Sequence, residues 1–158
     1  MITWNQFATE VSKGVPKAIA YIRGNEQNPM LSGVAAFYDT RQGGVVISVE
    51  VSGLPENTSG FYGMHLHQYG NCQQPFDKTG NHYNPHQASH PEHAGDLPPL
   101  LGNAGYAWTM FYTGRISIEE VVGKSIVIHS MQDDFHSQPA GDSGSKIGCG
   151  GIVPCEKN

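Results

Sequence analysis

His65-Leu66-His67 is the segment of this chain whose residue types and spacing most directly imply chemistry. The preceding Gly-Phe-Tyr-Gly-Met reads as extended chain. Side chains along a strand alternate faces, so two histidines one residue apart point the same way and can grip one ion together. His82, His90, His93 and Asp96 follow, and His129 closes a later apolar run, Ser125-Ile126-Val127-Ile128. Solvated or core histidines rarely recur at ligand spacings, so this set predicts metal binding.

Two ions account for these side chains better than one. His82, His90, His93 and Asp96 are separated by steps of eight, three and three, in a loop rich in Pro, Gly and Asn. Three imidazoles and a carboxylate suit tetrahedral zinc, and four protein ligands leave no open position for water, which makes such a zinc structural. His65, His67 and His129 remain, and all-imidazole tetragonal coordination favours copper, with its redox chemistry. If His82 offers one ring nitrogen to each ion, the copper gains a fourth ligand and the two sites become neighbours.

Several motifs together, in this order, resemble the copper/zinc superoxide dismutase family in its bacterial, compact-loop form. They are Gly63-Met64-His65-Leu66-His67 with Gly70 and Cys72, His82-Tyr83-Asn84-Pro85, Gly95-Asp96-Leu97, Gly102-Asn103, Gly123-Lys124, Val127-Ile128-His129, Asp133-Asp134 and Gly148-Cys149-Gly150. The likeness runs from about residue 15 to residue 153. It implies copper on His65, His67, His82 and His129, and zinc on His82, His90, His93 and Asp96. It also implies that Asp133 ties His65 to His90, an outer partner that fixes ring tautomer and orientation, and that Cys72 pairs with Cys149 in a disulfide. The implied activity is dismutation of superoxide to oxygen and hydrogen peroxide. In it His82 leaves reduced copper and carries a proton.

The chain departs from the family pattern at four places. Lys146 stands where the family has a guiding arginine, three positions before the second disulfide cysteine. Charge is kept, but a lysine is a mobile, strongly hydrated point charge rather than a planar fork of donors, so superoxide should be attracted and held less precisely. The connection between Asn103 and Gly123 is short. In the zinc loop His86 competes with His90 as a ligand, and the family's spacing favours His90; His136 reads as a solvated histidine near the channel. Finally, residues 1–15 precede the first family strand as a helical extension. Thr3-Trp4-Asn5-Gln6 fits a capping box, Trp4, Phe7, Ala8 and Val11 recur at helical spacing, and Gly14 with Pro16 supplies a stop. Residues 16–158 form the dismutase-like domain.

These ligands require a frame, and the rest of the chain predicts an all-β one. The length of 158 residues fits one domain. Twenty glycines and ten prolines point to many turns between short strands. Residues 45–52 are the clearest strand: Val45, Ile47, Val49 and Val51 share one face, and Ser48, Glu50 and Ser52 the other. Similar runs at 17–23, 31–38, 63–67, near 102, 106–112, 125–129 and 146–153 give an eight-stranded antiparallel sandwich or barrel. The resemblance makes it a flattened Greek-key barrel, for which copper/zinc superoxide dismutase is a standard sandwich example. Two long functional loops, 68–101 and 130–145, interrupt it. Ser117-Ile118-Glu119-Glu120 is a second capping box, stopped by Gly123.

Composition narrows the partners. A net charge of −5 argues against nucleic acid and anionic membranes, and no apolar run reaches a membrane span. An anionic substrate is not excluded, because local fields focused into a cleft decide steering, a point for which superoxide dismutase is itself the standard case. Of three cysteines, Cys155 is left over. No signal peptide is visible, so the chain reads as cytoplasmic, or as periplasmic or extracellular if a leader was removed. Family members are often homodimers, although Gly151 and Pro154 give the last strand little apolar surface for that contact. A non-enzymatic copper-handling protein or scaffold on the same barrel is the competing reading; its mark would be a missing copper ligand or guide residue, and all four copper histidines are present. A zinc hydrolase would need an open three-ligand zinc beside a glutamate base, which the pattern lacks.

Overall fold

In the computed structural model, which describes residues 14–155, strand alternation builds a core on one side and a metal-ligand layer on the other. Nine strands form in chain order: β1 (Ala18–Gly24), β2 (Ser32–Asp39), β3 (Val45–Ser52), β4 (Phe61–Tyr62), β5 (Met64–His67), β6 (Leu100–Leu101), β7 (Tyr106–Thr113), β8 (Ser125–His129) and β9 (Lys146–Pro154). Eight lie where the sequence places them, to within a residue or two. The ninth, β4, is two residues long and pairs with β6. Its brevity leaves no period-2 pattern to read.

Seven strands make one curled antiparallel sheet in the order β5-β8-β9-β1-β2-β3-β7. Strand neighbours such as β9 and β1, or β5 and β8, are distant in sequence, which is the Greek-key crossing. Along the chain, β4 runs into the edge strand β5 and β6 into the edge strand β7. Inward residues from all these strands form one core that includes Ile22, Phe37, Ile47, Met64, Leu66, Ile126, Ile128 and Ile152. Each such side chain contributes roughly 1.5–3 kcal/mol relative to exposure.

The β5–β8 register explains how the ligands are presented. Met64 pairs with Ile128 and Leu66 with Ile126, all within the core. The intervening His65 and His67 therefore project to the opposite face, where the long loop 68–99 covers them. Every residue of β5 and β8 is buried, because both faces are covered. On that second face Val127, Cys149 and Phe76 form a small apolar cluster with Cys72 packed against it. Cys72 and Cys149 are joined in a disulfide across 77 residues of chain, which anchors the loop to β9.

A short helix, α1 (Ile118–Val121), begins with the capping box read from the sequence: the Ser117 hydroxyl accepts from the Glu120 amide and the Glu120 carboxylate from the Ser117 amide. It ends after one turn. Gly123 follows at φ 86°, a left-handed conformation that suits glycine. The N-terminal helix predicted for residues 1–15, with Trp4, Phe7, Ala8 and Val11, lies outside the described residues apart from its last two. No helix among the described residues is long and apolar enough to cross a membrane.

Candidate metal centre

Alternation along β5 and β8 brings His65, His67 and His129 to the loop-covered face, and the loop returns His82 to them. His82 bridges to His67 as an isolated antiparallel pair, and Asp96 pairs with His65 in the same way. One nitrogen from each of His65, His67, His82 and His129 falls within 4.8 Å of the others. A second cluster, His82, His90, His93 and Asp96, satisfies the same limit. Four donors around one ion at about 2.0–2.2 Å are separated by roughly this spacing or less, so both clusters are ion-sized.

Hydrogen bonding decides which ring nitrogen each histidine can offer. His65 Nε2 lies 2.6 Å from Asp133 Oδ2 and His90 Nε2 lies 2.8 Å from Asp133 Oδ1, so one carboxylate occupies the outer nitrogens of two rings. The Gly80 carbonyl accepts from His67 Nδ1 at 2.9 Å, and the Gly144 carbonyl from His129 Nδ1 at 3.3 Å. Their Nε2 atoms then face each other, 3.3 Å apart. His82 Nδ1 approaches Asp96 Oδ1 at 2.8 Å.

The atoms left over are His65 Nδ1, His82 Nε2, His90 Nδ1 and His93 Nδ1, all buried without a hydrogen-bond partner. Asp96 Oδ2 lies 3.1 and 3.2 Å from the last two, close enough for an ion pair but without hydrogen-bond geometry. A buried polar atom without a partner costs about 1–3 kcal/mol. Four such atoms converging on two points fit two cations.

The electrostatics favour neutral, ligand-ready imidazoles. Burial, then the neighbouring His129, pushes His67 down to about 2; burial, then His65, pushes His129 down to about 3. Burial lowers His65 and His93 as well. Burial opposes ionisation of Asp96 and Asp133. The His82 bond to Asp96, and the bonds from His65, the Phe135 amide and His90 to Asp133, outweigh it and hold both carboxyls below the usual range. Asp134 is held at about 2, chiefly by the Ser137 hydroxyl and by the His136 and Ser137 amides, which makes it a loop cap.

His67, His82, His129 and Lys146 line one open cleft with Ser143 and Gly144, whereas the His65 and His90 side chains are fully enclosed. Solvent therefore reaches the edge of the first cluster and, through His93, that of the second. Lys146 is not the mobile point charge that its residue type suggests. Its Nζ donates to Thr79 Oγ1 at 2.8 Å, to the Gly80 carbonyl at 3.1 Å and more weakly to the Phe76 carbonyl at 3.4 Å. Those acceptors belong to a 3-10 turn, Asp77–Thr79, and its two flanking residues.

His86 and His136 stay outside both clusters. His86 is exposed beside Glu92 and Arg115, and the His136 side chain is 79% exposed near Asp134. Three positioning contacts come from residues not singled out in the sequence. Arg115 Nη1 donates to the Pro91 and His93 carbonyls. Gln138 clasps the His90 backbone, accepting from its amide and donating to its carbonyl. At Gly141, a Cβ would lie 2.0 Å from Asp133 Oδ1, so only glycine lets the loop close over that carboxylate. Of these only the glycine carries any local signal.

A Greek-key β-sheet thus carries two adjoining, buried candidate metal clusters that share His82. The sequence profile of copper/zinc superoxide dismutase (SODC) matches residues 31–152. The chain belongs to that family, and superoxide dismutase activity goes with it. It is 34% identical over 147 residues to "Superoxide dismutase [Cu-Zn]" of Deinococcus radiodurans, covering 79% of each chain. It is 35% identical over 136 residues to "Superoxide dismutase [Cu-Zn] 2" of Aquifex aeolicus, covering 76% of this chain and 78% of the other. Among solved structures, a SOD-like protein from Bacillus subtilis superposes with a TM-score of 0.72 at 26% identity, covering 84% of this chain and 95% of that one.

Proposed function

We propose that the chain dismutes superoxide at a copper held by His65, His67, His82 and His129, beside a structural zinc held by His82, His90, His93 and Asp96. The observation that carries this reading is the position of His82. Its Nδ1 faces Asp96 at 2.8 Å, while its Nε2 is buried and has no hydrogen-bond partner. One ring thus serves both clusters.

Copper, when bound, supplies the one-electron oxidation and reduction that turn two superoxide anions and two protons into oxygen and hydrogen peroxide. The protein's residues do the rest. His67 and His129 are kept neutral by burial, so their Nε2 lone pairs are available at any physiological pH. Asp133 locks the tautomers of His65 and His90 and couples the two clusters mechanically. His82 lines the cleft, and its Nε2, which has no hydrogen-bond partner, would hold the proton passed to product. Asp96 and its three imidazoles would supply four protein donors to a zinc there, which suits a structural role. Lys146 places a positive charge at the cleft wall, where it attracts an anion over the reach of a screened field, about 8–10 Å.

The test is metal analysis of the purified protein joined to a superoxide assay before and after copper loading. One copper and one zinc per chain with copper-dependent dismutation supports the reading. Two equivalents of metal without activity would instead support a non-enzymatic copper-binding scaffold.

A further inference from the structure

We infer that Thr79 is a positioning residue that fixes the Lys146 ammonium at the cleft wall, setting the path of the anion without touching it. Thr79 is fully buried, in contrast to the exposed Asp77 and Lys78 of the same turn. Its hydroxyl has one proton to give and donates it to the Phe76 carbonyl at 2.7 Å. A lone pair is thereby left facing Lys146 Nζ at 2.8 Å, the shortest of the three ammonium contacts. The direction of each bond follows, since an ammonium can only donate.

The turn itself is held from behind. Phe76 is buried against Val127 and Cys149, next to Cys72, and the Thr79 carbonyl accepts from the Tyr69 amide at 3.0 Å. The Thr79 hydroxyl is therefore a fixed acceptor rather than a flexible one. The next residue, Gly80, offers its carbonyl to both Lys146 Nζ and His67 Nδ1. One short turn thus places the attracting charge and orients a copper-side imidazole together.

An ammonium has three N–H donors, and three protein acceptors surround this one. Lys146 therefore contributes charge to the cleft rather than a free donor to the anion. A guanidinium at the same position has five donors and would keep some free.

The experiment compares Thr79→Val, which removes the hydroxyl at nearly constant volume, with Thr79→Ser, which keeps it. The first readout is independent of copper: acylation of Lys146 by an N-hydroxysuccinimide ester, measured by peptide mass spectrometry and normalised to Lys17. Without the Thr79 acceptor the ammonium either leaves for solvent or becomes easier to deprotonate, and both raise its reactivity. The second readout is dismutation rate against ionic strength at matched copper content. The expected result is a several-fold rise in Lys146 acylation in Thr79→Val, a slower rate with a changed salt slope, and return of both towards the parent in Thr79→Ser. Parent-like acylation and salt slope in Thr79→Val would overturn the inference, as would a Thr79→Ser protein indistinguishable from Thr79→Val. The kinetic readout rests on the dismutase reading. A metal-loaded parent that fails to dismute, with the acylation contrast intact, would count against that reading while supporting Thr79's hold on Lys146.

Discussion

His129 stands directly opposite Lys146 across β8 and β9, at the point where the register slips after Ile128. The slip re-aims the strand end, so a candidate copper ligand and the cleft's cation come from paired positions. β-Bulges next to functional sites commonly serve this purpose. From that pairing Lys146→Glu should slow dismutation strongly and flatten or reverse its decline with added salt. Lys146→Arg should keep or raise the rate, because a guanidinium retains donors beyond the three acceptors around Nζ. Rate against ionic strength for the three proteins checks this, and equal slopes would remove Lys146 from the mechanism.

His129 belongs only to the first cluster and His90 only to the second. His129→Ala should abolish copper-dependent dismutation and leave about one zinc per chain on a folded protein. His90→Ala should lower zinc content and melting temperature, whereas His86→Ala, at an exposed position outside both clusters, should change neither. Metal content and thermal denaturation of the three variants decide the ligand choice.

Asp133→Asn should separate the two rings that share this carboxylate. An amide offers one acceptor oxygen where the carboxylate offers two, so His65 and His90 cannot both keep their Nε2 contacts of 2.6 and 2.8 Å. Loss of such an outer partner typically costs about 10–100-fold in metal affinity or activity. Competition with a chelator should show weakened retention at both sites; a change at neither would make Asp133 a loop residue only.

Acid should destabilise the metal-free protein well before its carboxylates titrate. His67 is held at about 2 and His129 at about 3 in the folded state, against an ordinary value of 6.5. Between those values the unfolded chain binds protons that the native protein refuses, so unfolding takes up protons and stability falls as pH drops below about 6.5. The depressed Asp96 and Asp133 add a further loss only below about pH 4, where the unfolded carboxylates begin to hold protons. Melting temperature of the metal-free protein between pH 7.5 and 5 should therefore decline, and a flat profile would contradict neutral, buried imidazoles.

Features that repeat locally are legible along the chain. The Val45–Ser52 alternation and the Met64–His67 run each carry their own period of two, and Ser125–His129 is a short apolar run. That period puts His65 and His67 on one face; the structure adds that Leu66 and Ile126 lie in the core. The donor types then restrict the chemistry to two metals, and the order of the motifs names the family. Apart from the Asp133 tie between His65 and His90, which the family resemblance implies, the free atom of each ring emerges only in the folded arrangement. The selecting groups are Asp133, the Gly80 and Gly144 carbonyls and Asp96, and backbone carbonyls have no residue signature. The tertiary structure also decided that Lys146 is held rather than mobile. Its acceptors lie 66 to 70 residues away, on a turn positioned by Phe76 and the Cys72–Cys149 bridge. Contacts between aperiodic loops and distant strands leave no spacing in the chain, so nothing short of the folded arrangement discloses them.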